Sequence, residues 1–223
     1  MRERALPGGY RKISDLPTLI PVFPLDGALL LPGGQLPLQI FEPRYLNMVD
    51  DAMSGQRVIG MIQTREGGER ARPKLAKVGC AGRITAYAET GDGRYMITLS
   101  GVCRFGVGEE LIIATPYRQV RADYGRFAAD LEPDGGEVKF DRAPFIATLR
   151  RYLEHKGLSV EWEAVNAAPA GALINSLAMG LPLDPAEKQA LLEAATLDDR
   201  RCALAALLEI NAVEDDDDPP PLQ

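Results

Sequence analysis

The chain has one histidine, one tryptophan and three cysteines in 223 residues, and each scarcity removes a class of chemistry. Cys80, Cys103 and Cys202 are widely spaced and form no C-x-x-C pair, so the ligand spacing of a structural zinc site is missing. An odd number of separated thiols fits small buried hydrophobes in a reducing compartment. His155 stands beside Lys156 and Gly157 at an expected helix C-terminus, where a cation complements the helix dipole; this structural reading is preferred to a general base or metal ligand. No apolar run approaches the roughly 20 residues that span a bilayer, and residues 1–17 lack the apolar centre of a secretory signal. The expectation is a cytoplasmic protein with no membrane partner, no metal and no cofactor. Basic charge is also short, with 25 Lys and Arg against 32 Asp and Glu and a formal net charge of −7. A sequence-independent nucleic-acid binder needs a basic surface to neutralise phosphates, so nucleic acid is disfavoured.

What is present suits a folded chain. Hydrophobic residues make up 46% and charged residues 26%, enough for a core. The 22 glycines and 17 prolines predict many turns. Character changes near Asp130: β-type runs before it, helical patterns after it. Residues 19–23 predict a strand that Pro21 keeps away from the sheet centre, because proline cannot donate a ladder hydrogen bond. Further strands are expected over 36–41, 58–64, 77–87, 95–99, 103–107 and 117–124. Val78, Cys80, Ile84 and Ala86 should share a buried face, Gly91-Asp92-Gly93 a hairpin turn, and Gly101 a break. The charged stretch 66–74 reads as a mobile loop. Short antiparallel strands of this kind predict a barrel or sandwich.

Among the strands, Pro43 opens a short helix whose Tyr45, Met48, Val49 and Ala52 form one apolar face, ended by Gly55. Later helices are expected after Asp141 as N-cap, with Ile146, Leu149 and Leu153 on one face, and over 170–179. Asp184-Pro185-Ala186-Glu187 reads as a capping box with proline at the first helical position. Thr196 repeats that logic for a last helix burying Leu204, Leu207 and Leu208. The domain reading is a flexible arm at 1–18, a β-rich part at 19–130, a linker at 131–138, a helical part at 139–213, and a disordered acidic, proline-rich tail at 214–223.

Several separated motifs carry a resemblance. Ile20-Pro21-Val22-Phe23-Pro24-Leu25, Leu30-Leu31-Pro32-Gly33, Leu36-Pro37-Leu38 and Ile40-Phe41-Glu42-Pro43-Arg44-Tyr45 are followed by Val78-Gly79-Cys80-Ala81-Gly82-Arg83-Ile84 and Leu99-Ser100-Gly101-Val102-Cys103-Arg104-Phe105. Pro116-Tyr117 and the helical Glu187–Glu193 stretch follow in order. Over residues 19–212 the chain resembles the N-terminal, substrate-binding domain of the Lon proteases, as a free-standing copy. The resemblance implies an α+β fold: an N-terminal twisted β pseudo-barrel (PUA-like) followed by a C-terminal α-helical bundle. It also implies capture of substrate polypeptides. No G-x-x-x-x-G-K-[ST] loop is present to cradle phosphates. Ser100 sits outside a G-x-S-x-G elbow, and Gly106-Val107-Gly108 is a bare G-x-G.

The resulting reading is a non-catalytic polypeptide-binding module, an adaptor or holdase in protein quality control. Its partners would be unfolded or extended polypeptides together with a protease or chaperone. The alternatives are a nucleic-acid-binding β-barrel protein and an enzyme with an unrecognised site. Phe41, Glu42, Arg44 and Tyr45 are the candidate polypeptide-binding residues. The structural reading, in which Phe41 and Tyr45 belong to the core while Glu42 and Arg44 pair locally, is preferred for the corner, and the binding reading stands beside it. The preferred binding place is a groove between barrel and bundle with this corner as its flank, because Pro21 and Pro24 blunt the nearby strand edge.

Overall fold

The structure, a computed structural model, describes residues 9–69, 72–132 and 140–212. Strands β1 (Leu19–Pro24), β2 (Gln35–Ile40), β3 (Val58–Glu69), β4 (Arg72–Glu89), β5 (Tyr95–Glu110) and β6 (Arg118–Asp123) enclose helix α1 (Pro43–Ser54) in sequence. Helices α2 (Arg142–His155), α3 (Trp162–Ala167), α4 (Ala170–Gly180), α5 (Pro185–Glu193) and α6 (Leu197–Asn211) follow. The sheet order is β2-β5-β4-β3-β1-β6 with a further β5–β6 pairing. Five strands therefore close on themselves, as the barrel reading expects, and β2 lies outside the ring. The length of β5 makes this possible: residues 95–100 pair with β2, while residues 106–110 pair with β6. The ladders are antiparallel except β1–β3, which is parallel and takes β2 and α1 as its crossover.

Pro21 lies in an interior strand, not at an edge, because β1 changes partner along its length. Residues Leu19–Val22 pair with β6, and Val22–Pro24 pair with β3. Ala122 N donates to Thr18 O, so even-numbered β1 residues face β6. Pro21 then faces the β3 side just before that ladder begins, and Pro24 faces the β6 side after that ladder ends. Neither missing N–H removes an internal rung. Pro37 fits β2 similarly. Gly101 N donates to Gly34 O, so Pro37 turns its missing donor to the open edge of the sheet, where it blunts strand addition.

Residues 66–69 and 72–74 are strand, where a loop is expected. Strand β3 runs on to Glu69 and β4 starts at Arg72, pairing Thr64 with Leu75 and Arg65 with Lys74 across a bulge that ends at Gly68. Charge and glycine marked the stretch as irregular, but a two-stranded ribbon outside the core tolerates both. Gly101 does not break β5 either. A Cβ there would collide with the Leu31 carbonyl, so the glycine lets the chain before β2 cross β5 closely. Ala86 is exposed, because the ladder shifts register between Ile84 and Ala86 and the alternation restarts.

Within residues 9–18, part of the arm expected from sequence, two side chains anchor on the fold. Tyr10 and Leu16 are buried, Asp15 accepts from the N–H groups of Arg11 and Lys12, and Arg83 donates to the Tyr10 hydroxyl at 3.1 Å. Residues 1–8 and most of the linker and tail assigned from sequence lie outside the described residues. Leu131, given to the linker, is buried at the end of a 3-10 segment, Gly125–Leu131, that also buries Phe127.

The helices begin where their caps place them. Asp141 accepts from Ala143 N, and Asp184 with Glu187 and Thr196 with Asp199 form capping boxes. Helix α1 buries Tyr45, Met48, Val49 and Ala52; full burial of each large apolar side chain stabilises by roughly 1.5–3 kcal/mol. Leu204 and Leu208 are buried, whereas Leu207 is only half-buried. The short α3 carries too few periodic residues to be visible in the sequence.

Where a groove is expected between barrel and bundle, a polar seam joins the two parts. Arg104 of β5 is 4% exposed. It donates to both oxygens of Asp130, at 2.9 and 2.8 Å, and to the carbonyls of Leu192 and Ala194 at the end of α5. Arg200 of α6 donates to Leu191 O at 2.8 Å and to Asn175 Oδ1 at 2.9 Å. Two guanidinium groups thus cap the carbonyl end of one helix, where its dipole favours cations. Burial, and then the neighbouring Arg104, pull the Arg200 pKa down to about 10. Gln63 donates to Pro185 O at 3.0 Å, Lys188 to Gly27 O at 2.8 Å and Gln189 to Val78 O at 3.2 Å. These bonds pair polar groups of the two parts along the junction.

Candidate functional site

Residues 41–45 turn the chain from β2 into α1. Pro43 occupies the first helical turn, and Glu42 is the N-cap residue without a capping side-chain bond. Its carboxylate is held instead by Arg44, Nη2 to Oε2 at 2.8 Å, with both side chains nearly half exposed. Such a pair contributes at most about 1 kcal/mol. The Arg44 guanidinium also lies 4.5 Å from the Tyr45 ring centroid. Tyr45 is a core residue: its ring packs against Phe23 at 4.3 Å, and burial raises its phenol pKa. Phe41 is not a core residue. It is 61% exposed, because Ile40 takes the inward position at the end of β2 and its neighbour must face out. Its ring lies 6.0 Å from the Arg94 guanidinium.

Arg44 and Tyr45 line a pocket of about 220 Å³ with Pro24, Thr64, Pro73, Pro116, Tyr117 and Arg118. The sequence reading missed the last four. They come from β4, β6 and the turn before β6, and only barrel closure brings them beside α1. The walls are braced by charge. Tyr117 donates its hydroxyl to Asp51 of α1, and burial followed by that bond pushes its pKa to about 12. Arg118 grips Glu110 through two bonds, at 2.8 and 2.6 Å, and donates to Pro73 O at 2.7 Å. Arg72 reaches the same carboxylate from the ribbon. The turn before Pro116 holds Ile112, which is 97% exposed, and Ile113, 43% exposed. The run Leu111-Ile112-Ile113-Ala114, apolar yet followed by Pro116, was the available signal for this surface.

Glu110 gives this corner a pH dependence. The Arg118 bonds, then those of Arg72, hold its carboxyl below the ordinary 4.5. A lowered folded-state pKa means a stabilising contribution present above 4.5 and lost as pH falls through the lowered value. Amide protection factors in the ribbon should therefore fall below about pH 4.5 more than those in the barrel centre. Glu110→Gln should remove that difference and cost about 1 kcal/mol. Equal acid sensitivity in wild type and variant would refute the brace.

Other polar groups are committed elsewhere. Burial raises the thiol pKa values of Cys80 and Cys103, which makes both poor nucleophiles. The Ser100 hydroxyl shares a 2.9 Å hydrogen bond with that of Thr85. Among the described residues no three His, Cys, Asp or Glu side chains converge as a metal site, and no helix is long and apolar enough to cross a membrane. What the corner offers is apolar and aromatic contact surface framed by fixed arginines.

Comparison with known proteins places the fold. The Lon protease of Roseiflexus castenholzii is 28% identical over 199 residues, covering 87% of this chain and 24% of that protein. The Lon protease of Methylocella silvestris is 30% identical over 190 residues, covering 84% and 23%. The chain thus spans about a quarter of the length of these relatives. Among solved structures, a Lon N-terminal domain protein from Xanthomonas campestris superposes with a TM-score of 0.61 at 24% identity, over 85% of this chain and 98% of that one. The N-terminal domain of the Mycobacterium avium complex Lon protease gives 0.58 at 16% identity, over 85% and 97%. Both likenesses concern the fold. The family model of the ATP-dependent protease La (LON) substrate-binding domain matches residues 19–209, and the chain belongs to that family.

Proposed function

We propose that this chain recognises unfolded or extended polypeptide without catalysing a reaction, and serves in the cytoplasm as an adaptor or holdase for a protease or chaperone. The observation that carries the reading is the exposed Phe41 ring at the β2–α1 corner, together with the pocket that Arg44 and Tyr45 of that corner line with Tyr117 and three prolines, and the exposed Ile112 in the turn before Pro116. Exposed apolar and aromatic groups rimmed by polar ones mark contact surfaces. The family's substrate-binding role supports the same reading. Glu42 and Arg44 fix the corner's shape, Phe41 supplies its exposed contact area, and the buried Tyr45 forms part of the pocket wall.

The test is titration of the full chain into a fluorescent, reduced, unfolded client without ATP. Binding should be micromolar or weaker, about −8 kcal/mol at best, and folded client should compete poorly. Phe41→Ala and Ile112→Ser should each weaken it several-fold and leave the melting temperature unchanged, since both side chains are exposed. No client binding at high concentration, with clear binding to RNA, would transfer the reading to nucleic acid. ATP hydrolysis or casein cleavage that co-purifies with the chain would overturn the non-catalytic part.

A further inference from the structure

Helices α2 and α6 end side by side. Thr148 Oγ1 of α2 lies 3.5 Å from Glu209 Oε1 of α6, and Asn211, the last residue of α6, donates to Glu187 at 2.8 Å. Glu187 and Lys156, the residue that closes α2, both act electrostatically on the buried Tyr152 phenol. The last two turns of α2 carry Arg150, Arg151 and Lys156, with His155 among them, against one carboxylate, Glu154. Cations suit this place, because the helix dipole is negative here. Just beyond Ala212 the sequence carries five consecutive carboxylates, residues 214–218. We propose that these carboxylates turn back onto the cationic end of α2 and form a salt-sensitive strap across that end of the helical part.

Reach and charge argue for that occupant. A chain covers at most about 3.6 Å per residue, so the run begins within about 7 Å of Ala212 and ends within about 22 Å of it. Tyr152, where the last turn of α2 begins, feels the charge of the same Glu187 that Asn211 holds. The other cations of α5 and α6 are committed: Lys188 donates to Gly27 O at 2.8 Å, Arg200 is buried in the seam, and Arg201 pairs with Asp198 at 2.7 Å. Glu187 and Glu209, near the end of α6, repel the run, while Arg151 and Lys156 attract it. Arg150 adds its charge from its place over the Trp162 ring, at 4.1 Å. Attachment decides between this segment and an acidic stretch of a second copy. A segment tethered by a short linker meets its site at a roughly millimolar effective concentration, which a second copy reaches only in concentrated solution. Exposed pairs of this kind are screened by salt, which makes the strap releasable.

The test is zero-length cross-linking of the full chain with a water-soluble carbodiimide at low salt, read by peptide mass spectrometry. The expected product is an amide between Lys156 and a carboxylate of residues 214–218. Its yield should fall at least about five-fold in 1 M sodium chloride, where the Debye length is about 3 Å. Arg151 is exposed, so Arg151→Glu should leave the fold intact, keep the Lys156 amine available and lower the yield by a similar factor. A second measurement needs no cross-link. Replacing Asp215, Asp216, Asp217 and Asp218 together with asparagine should shift the amide resonances of residues 150–156 and leave those of the barrel strands in place. Unchanged resonances over residues 150–156 overturn the inference. So do amides formed to Lys12, Lys74, Lys77 or Lys188 with none to Lys156, and so does a Lys156 yield that neither salt nor Arg151→Glu lowers. In a mixture of nitrogen-14 and nitrogen-15 chains, an amide that joins one isotope to the other overturns it in favour of a second copy.

Discussion

Replacing Arg104 with methionine should cost about 3–5 kcal/mol of folding free energy, the range for removing one member of a buried ion pair. Methionine fills much of the volume, so the loss would be electrostatic and hydrogen-bonding in origin. Asp130, its side chain 10% exposed, would lose both guanidinium bonds. The Leu192 and Ala194 carbonyls would lose their donor, and the guanidinium over the Phe127 ring at 4.4 Å would go with it. Urea denaturation gives the number. Adding Asp130→Asn to the variant should recover part of the loss, because the orphaned charge is the expensive component. A cost below about 1 kcal/mol would mean that water replaces the guanidinium easily and that the seam is looser than its geometry.

Leu192→Ala should be almost as damaging, about 2–5 kcal/mol, because the side chain is 3% exposed and a cavity would remain. Its backbone carbonyl is an Arg104 acceptor, so the two substitutions should not add. A double-mutant cycle should show coupling of roughly 0.5–3 kcal/mol, the range for residues in contact. A cost near zero for Leu192→Ala would place this helix face in solvent and make its leucines candidate partner contacts.

Local chemistry was legible in the sequence and distant pairing was not. Tyr45, Met48, Val49 and Ala52 announced the buried face of α1 by their spacing, and Asp184 with Glu187 announced the start of α5, because both signals lie within a few residues. Pro21 misled because its acceptability depends on which strands flank β1, a fact set by residues about 40 and 100 positions away. Residues 66–69 and 72–74 misled because a ribbon's hydrogen bonds need no apolar alternation. At the candidate site, Phe41, Glu42, Arg44 and Tyr45 were visible as one corner. Pro73, Pro116, Tyr117 and Arg118 were not, since only the closing of β6 onto β1 and β5 delivers them. Arg104, the residue that ties the two halves together, looked like an ordinary strand position inside a family motif.

The seam has a bearing on how the chain is made. Arg104 is translated 88 residues before Leu192 and 90 before Ala194, its carbonyl partners. While a ribosome is still producing α2 to α5, a completed barrel would hold that guanidinium against Asp130 alone, with part of its donor capacity unmet. A nascent barrel is therefore a weakened object until α5 emerges and docks. Equilibrium unfolding should accordingly show one cooperative transition, with fluorescence from Trp162 in α3 and far-ultraviolet dichroism changing together.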